Sequence, residues 1–374
     1  MEKLSILVTG GAGFIGSHLV DALVGRGHRV RVLDALVPQV HPGGEKPAHL
    51  NPEAEFLHGD VEDEAALARA LEGVEAVFHK AAEVGVGQSM YEMRRYVRAN
   101  TLATSALLEQ VVARRDRIRT LVVASSMSIY GEGAYACPAH GSVAPPPRPA
   151  AQLAGRRWEV ECPACGSELR PVGTGEEKPL APASVYAVTK QDQEQLCLVA
   201  GRAYGIPVVA LRYFNVYGTR QALSNPYTGV CAIFSARLLH GRPPVLFEDG
   251  RQTRDFVHVG DVVRANLLAL ERDGADYAAV NVGTGRATSV GEVARLLAEG
   301  LGRGPEAEIV GKYREGDVRH CFADIRRARR LLGYEPRVTL EEGVPELLSW
   351  VRAQAADDRH AQATSELEAH SLVR

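Results

Sequence analysis

The chain has 374 residues, 45% of them hydrophobic, and a formal net charge of −3. This length can bury a large core in one unit or two lobes, and the charge gives no general attraction to nucleic acid or to membranes. No stretch is long and apolar enough to span a bilayer, and the first strand begins within a few residues of Met1. We therefore expect a cytoplasmic protein without a signal peptide, whose six cysteines stay reduced.

The first half of the chain alternates predicted strands and helices. The strands are predicted at residues 4–8, 28–33, 55–58, 76–79, 120–124 and 207–211. The helices between them are predicted at residues 15–26, 64–71 and 96–113. This alternation predicts an α/β protein with a doubly wound parallel sheet of the Rossmann type and right-handed crossovers.

The rest of the chain divides into four parts. We predict a first domain over residues 1–218, interrupted by an insertion at 132–177. A smaller substrate lobe at 219–352 follows, with helices at 229–239 and 290–300, and residues 251–271 return to the first domain. Residues 353–374 are polar and without periodicity, so they are predicted to be a disordered tail.

A glycine-rich turn follows the first predicted strand. Residues 9–16 contain Gly10, Gly13, Phe14, Ile15 and Gly16, and they open the first predicted helix. Glycines at such a turn let backbone N–H groups approach a pyrophosphate at the positive end of the helix. The turn therefore predicts dinucleotide binding, and the alternative is an ordinary glycine turn in an α/β protein.

Three further sites lie at the ends of predicted strands, where ligands bind in parallel sheets. Asp34 ends the second strand, where a carboxylate accepts hydrogen bonds from a ribose and repels a 2′-phosphate, so NAD is favoured over NADP. Asp60 and Val61 follow the third strand, and Ala81 and Ala82 follow the fourth. Asp60 can accept a hydrogen bond from the adenine amine, or it can cap the next helix.

The candidate catalytic residues are Ser126, Tyr186 and Lys190. Ser126 ends the fifth strand, and Tyr186 and Lys190 are four residues apart in a predicted helix, so they share one face. An ammonium group near the phenol is expected to lower the pKa of Tyr186, which can then act as a general base. Ser126 would hold the reacting oxygen of the substrate. Without a dinucleotide fold, such a Tyr–Lys pair is usually an exposed surface pair.

These motifs together resemble the extended short-chain dehydrogenase/reductase family. The resemblance covers about residues 4–350 and rests on the glycine turn, on Ser126 and on Tyr186-x-x-x-Lys190. It also rests on residues 211–218, 254–259 with Asp261, 281–285 and 314–317. It implies an enzyme of nucleotide-diphosphate sugars that binds NAD tightly and forms a homodimer.

The same resemblance assigns four further residues to the site. It places Asn100, with Lys190, near the ribose and nicotinamide of the cofactor. It gives Asn215, Arg254 and Arg314 to the nucleotide diphosphate of the substrate, and arginine forks suit a diphosphate. Taken singly, each arginine can equally form a surface salt bridge.

The residues after Ser126 distinguish the reactions of this family. Dehydratases of the family place an Asp-Glu pair there, and sugar-acid decarboxylases place a Glu at the position of Ser128. Met127 and Ser128 cannot act as general acid and base near neutral pH. The resemblance therefore implies 4-epimerisation, in which Tyr186 removes the C4 hydroxyl proton, a 4-keto sugar rotates, and NAD is regenerated.

The insertion at 132–177 contains a candidate metal site. Cys137 and His140 form one pair with two intervening residues, and Cys162 and Cys165 form another. A Cys3His set suits tetrahedral zinc, and four protein ligands leave no open position, so we expect a structural zinc ribbon. The alternatives are unpaired buried thiols, a redox pair at Cys162 and Cys165, or a module that binds another macromolecule.

The insertion and two other stretches indicate a substrate. Together with residues 85–90 and 224–230, the insertion resembles bacterial dTDP-L-rhamnose 4-epimerases. This resemblance implies interconversion of dTDP-L-rhamnose and dTDP-6-deoxy-L-talose. The alternatives are a UDP-glucose or UDP-glucuronate 4-epimerase, a nucleotide-sugar dehydratase, and a non-catalytic NAD-binding protein, since a fold alone does not prove activity.

Overall fold

The computed structural model describes residues 2–302 and 306–374; Met1 and residues 303–305, which fall in the two predicted lobes, lie outside the described residues. The strands are β1 (Ser5–Thr9), β2 (Arg29–Asp34), β3 (Glu55–His58), β4 (Ala76–His79), β5 (Thr120–Ser126), β6 (Ala134–Cys137), β7 (Gly141–Val143), β8 (Arg170–Val172), β9 (Val208–Tyr213), β10 (Asn215–Tyr217), β11 (Val245–Leu246), β12 (Thr253–Arg254), β13 (Phe256–His258), β14 (Ala278–Val282), β15 (Thr288–Ser289), β16 (Glu308–Ile309) and β17 (His320–Cys321).

The helices are α1 (Phe14–Gly25), α2 (Glu64–Ala70), α3 (Val86–Ser89), α4 (Met93–Tyr96), α5 (Ala103–Val112), α6 (Ala150–Ala154), α7 (Val185–Tyr204), α8 (Val230–Leu239), α9 (Val259–Glu271), α10 (Val290–Gly300), α11 (Arg326–Leu332), α12 (Leu340–Arg352) and α13 (His360–Ala369). A π-helical turn, Val97–Leu102, joins α4 to α5. The predicted helix at 96–113 is therefore present, but its first part is a π-helical turn. In the described chain, no helix combines the length and apolarity needed to cross a bilayer.

A seven-stranded parallel sheet organises the first domain. Its order is β14-β9-β5-β4-β1-β2-β3, and each neighbouring pair is parallel. Both faces are covered, because alternate residues of β1 enter different cores: Ile6 and Val8 pack with α1 and α9, and Leu7 packs with α2, α5 and α7. The predicted doubly wound Rossmann fold is confirmed.

The strand β14 was not predicted. It pairs with β9 at the edge of the central sheet. Residues of β14 therefore pack in the core of the first domain, and so do residues of the returning helix α9. The smaller lobe has its own apolar core, in which α8, α10 and α12 pack together around Phe234, Leu297 and Leu347. The cavity described below lies against the carboxyl ends of the sheet strands.

The insertion folds as a small antiparallel sheet in the order β7-β6-β8, followed along the chain by α7. Arg319, which is fully buried, joins the insertion to the smaller lobe. Its guanidinium group binds Glu159 of the insertion, and it binds Glu248 (2.9 Å) and Asp249 (2.6 Å) of the lobe. A buried cation needs such carboxylates to offset the loss of its hydration. The insertion is therefore fixed to the substrate lobe rather than carried on a free linker.

The last residues differ from the sequence prediction. Residues 353–374 were predicted to be disordered, but α13 forms at His360–Ala369, and Leu367 and Val373 are buried against Phe247. The segment ends in a β-bridge between Val373 and Arg314. A few apolar side chains and backbone pairing order this segment, and neither produces a periodic sequence pattern.

Candidate active site

The glycine turn between β1 and α1 brings the helix N-terminus to a cavity. Gly10 adopts φ +65°, and a Cβ there would lie 2.7 Å from the backbone N of Ala81. A Cβ on Gly16 would lie 2.2 Å from the carbonyl O of Gly10. Any side chain would force these backbone segments apart, so the turn requires glycine at both positions. No acidic residue lies in the first turn of α1, which leaves its positive end free for an anion.

The cavity has a volume of about 500 Å³. It runs from the glycine turn to the carboxyl end of β5 and into the smaller lobe. Most of the predicted site residues line it: Gly10, Gly13, Phe14, Ile15, Gly16, Asp34, Asp60, Val61, Ala81, Ala82, Ser126, Tyr186, Lys190 and Asn215. The structure therefore brings predicted residues between Gly10 and Asn215 to one elongated cavity.

Asp34 and Asp60 lie at one end of this cavity. The Asp34 carboxylate accepts hydrogen bonds from the backbone N–H groups of Ala12 and Leu36, both at 2.9 Å. Asp60 accepts from the N–H of Glu62 at 2.9 Å. The helix α2 is capped by Asp63 instead, through its bonds to the N–H groups of Ala65 and Ala66. Asp63 rather than Asp60 therefore caps α2, and Asp60 lines the cavity.

Tyr186 and Lys190 lie on one face of α7, in the middle of the cavity wall. Ser184 caps this helix by accepting from the N–H of Ala187 at 3.1 Å. Nζ of Lys190 donates to the carbonyl O of Ala124 and to Oε1 of Gln193 (2.6 Å). Burial lowers the pKa of Lys190 to about 8. The lysine is therefore fixed in place by two acceptors beside the end of β5.

The pKa of Tyr186 differs from the sequence expectation. Burial raises this pKa because the phenolate loses hydration, and the hydrogen bond with Ser126 acts in the opposite direction. The ammonium group of Lys190 was expected to lower it. In the structure Lys190 is engaged with Ala124 and Gln193, and the loss of hydration outweighs the stabilising contacts of the phenolate.

The stretch from Ser126 to Ser128 forms a tight turn at the end of β5. Oγ of Ser126 accepts hydrogen bonds from the backbone N of Ser128 (3.2 Å) and from its Oγ (2.9 Å). Met127 and Ser128 both line the cavity. This part of the wall therefore offers hydroxyl groups and a thioether, without a carboxylate at either position after Ser126.

Asn100 lies behind the cavity rather than on its lining. Its Oδ1 accepts from the N–H of Glu83 at 2.8 Å, and its Nδ2 donates to Oγ1 of Thr189 at 3.0 Å. The fully buried amide thus ties the loop after Ala82 to the helix that carries Tyr186. In this structure Asn100 orients two parts of the wall.

Of the three residues assigned to the nucleotide diphosphate, one lines the cavity and two do not. Asn215 lines the cavity, and its buried Oδ1 has no hydrogen-bond partner in the described chain. Arg254 and Arg314 do not line the cavity. Arg254 binds Asp317 and the carbonyl O of Val318, and Arg314 lies 4.0 Å above the ring of Phe247. Their role in substrate binding stays a prediction.

Lys80 is a cavity residue that the sequence analysis did not select. It follows β4 directly, and its Nζ lies 3.0 Å from the hydroxyl O of Tyr213. Burial, reinforced by the charge of Lys190, lowers the pKa of Lys80 well below its usual range. The available sequence signal was a lysine immediately after a fully apolar strand, at the edge where ligands bind.

The four predicted metal ligands meet in the insertion. The donor atoms of Cys137, His140, Cys162 and Cys165 all lie within 4.8 Å of one another. Sγ of Cys137 is 3.8 Å from Sγ of Cys165, and Nδ1 of His140 is 3.5 Å from Sγ of both Cys137 and Cys162. Tetrahedral zinc with ordinary bond lengths requires separations of about 3.8 Å between sulfurs and about 3.6 Å between sulfur and nitrogen. The donor set therefore fits zinc.

The chain is similar to known proteins over most of its length. The model of the NAD dependent epimerase/dehydratase family matches residues 6–152 and 164–283. The chain is 37% identical over 362 residues to dTDP-L-rhamnose 4-epimerase of Burkholderia thailandensis, covering 96% of this chain and 98% of that protein.

Two solved structures are similar over nearly the whole chain. One is UDP-glucose 4-epimerase of Thermotoga maritima with UDP-glucose: the TM-score is 0.75 and the identity 34%, over 94% of this chain and 99% of that one. The other is UDP-glucuronic acid 4-epimerase of Bacillus cereus in complex with UDP-glucuronic acid and NAD: the TM-score is 0.76 and the identity 28%, over 94% and 99% of the two chains.

Proposed function

Because the chain belongs to the NAD-dependent epimerase/dehydratase family, we propose that it is an isomerase that inverts C4 of a nucleotide-diphosphate sugar with NAD as cofactor. The observation that carries this proposal is the grouping of Ser126, Tyr186 and Lys190 on one cavity that starts at the glycine turn. The two residues after Ser126 carry no carboxylate, which disfavours dehydration and decarboxylation.

The cavity residues divide into two groups under this proposal. NAD would lie along the glycine turn with Asp34 at its adenosine ribose, Asp60, Val61, Ala81 and Ala82 near the rest of its adenosine half, and Lys190 near the nicotinamide ribose. The sugar nucleotide would occupy the remainder, with Ser126 at its C4 oxygen and Asn215 at its diphosphate. The unpartnered Oδ1 of Asn215 supports the second assignment, because a buried acceptor without a donor costs about 1–3 kcal/mol.

Each of the three proposed catalytic residues has a defined task in the reaction. When bound, NAD would supply the hydride acceptor and donor needed at C4 of the sugar. Tyr186 removes the proton of the C4 hydroxyl group in the first half and gives it back in the second. Lys190, held by Ala124 and Gln193, places a positive charge beside the end of β5. Ser126 holds the C4 oxygen by its hydroxyl group.

We infer that dTDP-L-rhamnose and dTDP-6-deoxy-L-talose are the pair interconverted. The similarity to the Burkholderia thailandensis enzyme supports this, as does the insertion. Met127 lines the cavity with an apolar side chain, which suits the methyl group of a 6-deoxy sugar. UDP-glucose and UDP-glucuronate stay as alternatives, because the two similar structures are 4-epimerases of those sugars.

A direct comparison of three sugars tests the substrate. The purified protein is given dTDP-L-rhamnose, UDP-glucose and UDP-glucuronate separately, and the products are resolved by chromatography. We expect kcat/KM for dTDP-L-rhamnose to exceed that for either UDP sugar by about tenfold or more, since one unmatched buried polar group costs about 1–3 kcal/mol. Faster turnover of a UDP sugar would overturn the substrate assignment and leave 4-epimerisation standing, whereas turnover of none would overturn all three candidate substrates.

We also infer that the insertion holds one structural zinc ion through Cys137, His140, Cys162 and Cys165. The separations of the donor atoms support it, and four protein ligands leave no position for a substrate. The core of the insertion is small: it consists of Tyr135, Val160, Leu169 and the two buried cysteines. A small unit of this kind usually needs a metal or a disulfide for stability.

A homodimer is the assembly we propose. Two packed elements of the first domain carry apolar side chains that are about half exposed: the π-helical turn before α5 and the helix α7. These side chains are Val97, Leu102, Val188 and Val199, and the last two share one face of α7. Large apolar side chains grouped on one face favour contact with a second protein surface, and a second copy of this chain would present the same face.

A further inference from the structure

The final residues of the chain contact both lobes beside the cavity. We define the C-terminal clasp as residues 357–374, which contain α13 and end in the β-bridge between Val373 and Arg314. The clasp begins at Asp357, whose backbone N donates to Oγ of Ser224 at 2.9 Å. Asp358 then pairs with Arg242 at 3.0 Å and with Arg237 at 3.6 Å. These contacts attach the start of the clasp to the smaller lobe.

The middle of the clasp contacts both sides of the cavity. Glu366 accepts hydrogen bonds from the hydroxyl groups of Tyr91 (3.0 Å) and Tyr227. The two tyrosine hydroxyls also lie 2.6 Å from each other. Tyr227 lines the cavity, and Tyr91 closely follows the loop whose Gly85 and Val86 line it. One carboxylate therefore joins a residue of the first domain to a residue of the smaller lobe.

Two further contacts strengthen this bridge on the side of the first domain. The ring of His370 stacks on Tyr91 with 4.4 Å between the ring centres. Leu367 packs so closely on Gly87 that a Cβ there would lie 2.9 Å from its Cδ2. On the other side, Leu367 belongs to one apolar cluster with Phe247 and Val373. The helix α13 thus closes over a boundary between the two lobes.

The end of the clasp holds the segment that carries Arg314. The backbone N of Tyr313 donates to the carbonyl O of Arg374 (2.8 Å), and the return bond is 3.0 Å long. The N–H of Glu315 donates to the carbonyl O of Leu372 at 2.9 Å. Arg314 lies between these bonds with its guanidinium group over Phe247, and its Nε is buried without a hydrogen-bond partner in the described part of the chain. One buried donor of this guanidinium group is therefore left available for an anion.

We propose that the clasp positions the nucleoside diphosphate of the substrate: Glu366 holds the two sides of the cavity together, and the backbone pairing of residues 372–374 fixes the segment that carries Arg314. This inference rests on the proposed function, because that function supplies the nucleoside diphosphate. Glu366 is a positioning residue in this arrangement. It acts through Tyr227, which lines the cavity, and through Tyr91, which follows the loop that lines it, and it is separate from the residues that move the proton.

The test compares two glutamates of the same helix. Glu366→Ala removes the shared acceptor of the two tyrosines, and Glu368→Ala, the matched control, removes an exposed partner of Lys312. We expect Glu366→Ala to weaken the binding of dTDP and UDP, measured by calorimetry on NAD-loaded protein, by about tenfold, since two hydrogen bonds to a charged group are lost. KM should rise by a similar factor with kcat changed less than about twofold, as expected for uniform binding. Deletion of residues 357–374 should weaken binding further.

NAD content and the unfolding temperature serve as checks that each variant is folded. In the intact protein, dTDP should slow tryptic cleavage after the exposed Arg359, which gives a measurement that needs no variant. The clasp proposal would be overturned if dTDP and UDP bound with equal affinity to the intact protein, to Glu366→Ala and to the deletion variant. Tighter binding after the deletion, or tryptic cleavage that dTDP does not slow, would overturn it as well. An intact protein that binds neither dTDP nor UDP would instead overturn the proposed function.

Discussion

Replacing Tyr186 with phenylalanine is expected to lower kcat by about 10²–10⁴-fold while NAD remains bound. Tyr186 is the proposed group that moves the C4 proton, and it lines the cavity on the same face of α7 as Lys190. The phenylalanine ring preserves the packing, so KM should change little. The measurement is steady-state turnover of the best substrate, together with the NAD content of the purified variant.

Tyr96→Phe is the matched control for this substitution. The Tyr96 ring packs edge-on against Tyr186 with 6.4 Å between the ring centres, but its hydroxyl group donates to Gln88. The same chemical change at Tyr96 should therefore leave kcat within a few-fold of the intact enzyme, at the cost of one ordinary hydrogen bond of about 1 kcal/mol in stability. Near-normal turnover by Tyr186→Phe with NAD still bound would refute the proton-transfer role.

Cys162→Ser is expected to abolish zinc binding. The intact protein should contain about one zinc ion per chain, as a closed four-ligand site implies. A serine hydroxyl is a poor zinc ligand, and the buried Cys162 lies at the centre of the insertion core. The variant should lose the ordered structure of the insertion and retain NAD, because the glycine turn lies in the central sheet. Metal analysis and hydrogen exchange measure the two effects.

Ser167→Ala provides the comparison for the metal site. Oγ of Ser167 lies 3.0 Å from Sγ of Cys165, so this change affects the same turn without removing a ligand. It should keep the zinc ion. Absence of zinc from intact protein produced with ample zinc, or full zinc content in Cys162→Ser, would show that the four side chains are not a zinc site.

The central sheet was predictable because its signals are local. The apolar runs that became β3 and β4 match the structure residue for residue, and Asp34 lies at the end of β2 as expected. The run that became β4 is buried along its whole length, as expected inside a parallel sheet, whereas β3 is an edge strand with exposed ends. The strand β14 was missed because Ala278 and Ala279 make its first half only weakly hydrophobic, and its pairing with β9 is a long-range contact.

The candidate site was predictable in its residues and less so in its contacts. The spacing of Tyr186 and Lys190 gives a shared helix face, and the structure places both on the cavity. The acceptors of Lys190 come from β5 and from Gln193, and burial determines the direction of the pKa shift of Tyr186. These quantities depend on tertiary packing, which a motif does not contain.

The C-terminal clasp was missed for a related reason. Its backbone pairing with Tyr313 and its contact with Tyr227 join positions far apart in the sequence. Leu367 and the pair Leu372 and Val373 are the few large apolar residues of a polar stretch, which is typical of a solvated tail. Likewise, Arg254 was assigned to a diphosphate by resemblance, and only the structure shows its bonds to Asp317 and Val318.

The most direct test of 4-epimerisation follows a deuterium atom at C4. The sugar nucleotide that turns over fastest is prepared with deuterium at C4, converted by the NAD-loaded protein in ordinary water, and analysed by mass spectrometry and NMR. Because hydrogen leaves and returns to the same carbon within one catalytic cycle, the account predicts a C4 epimer that retains the deuterium, with no net reduction of NAD. Loss of the deuterium to water, or formation of NADH in proportion to product, would contradict it.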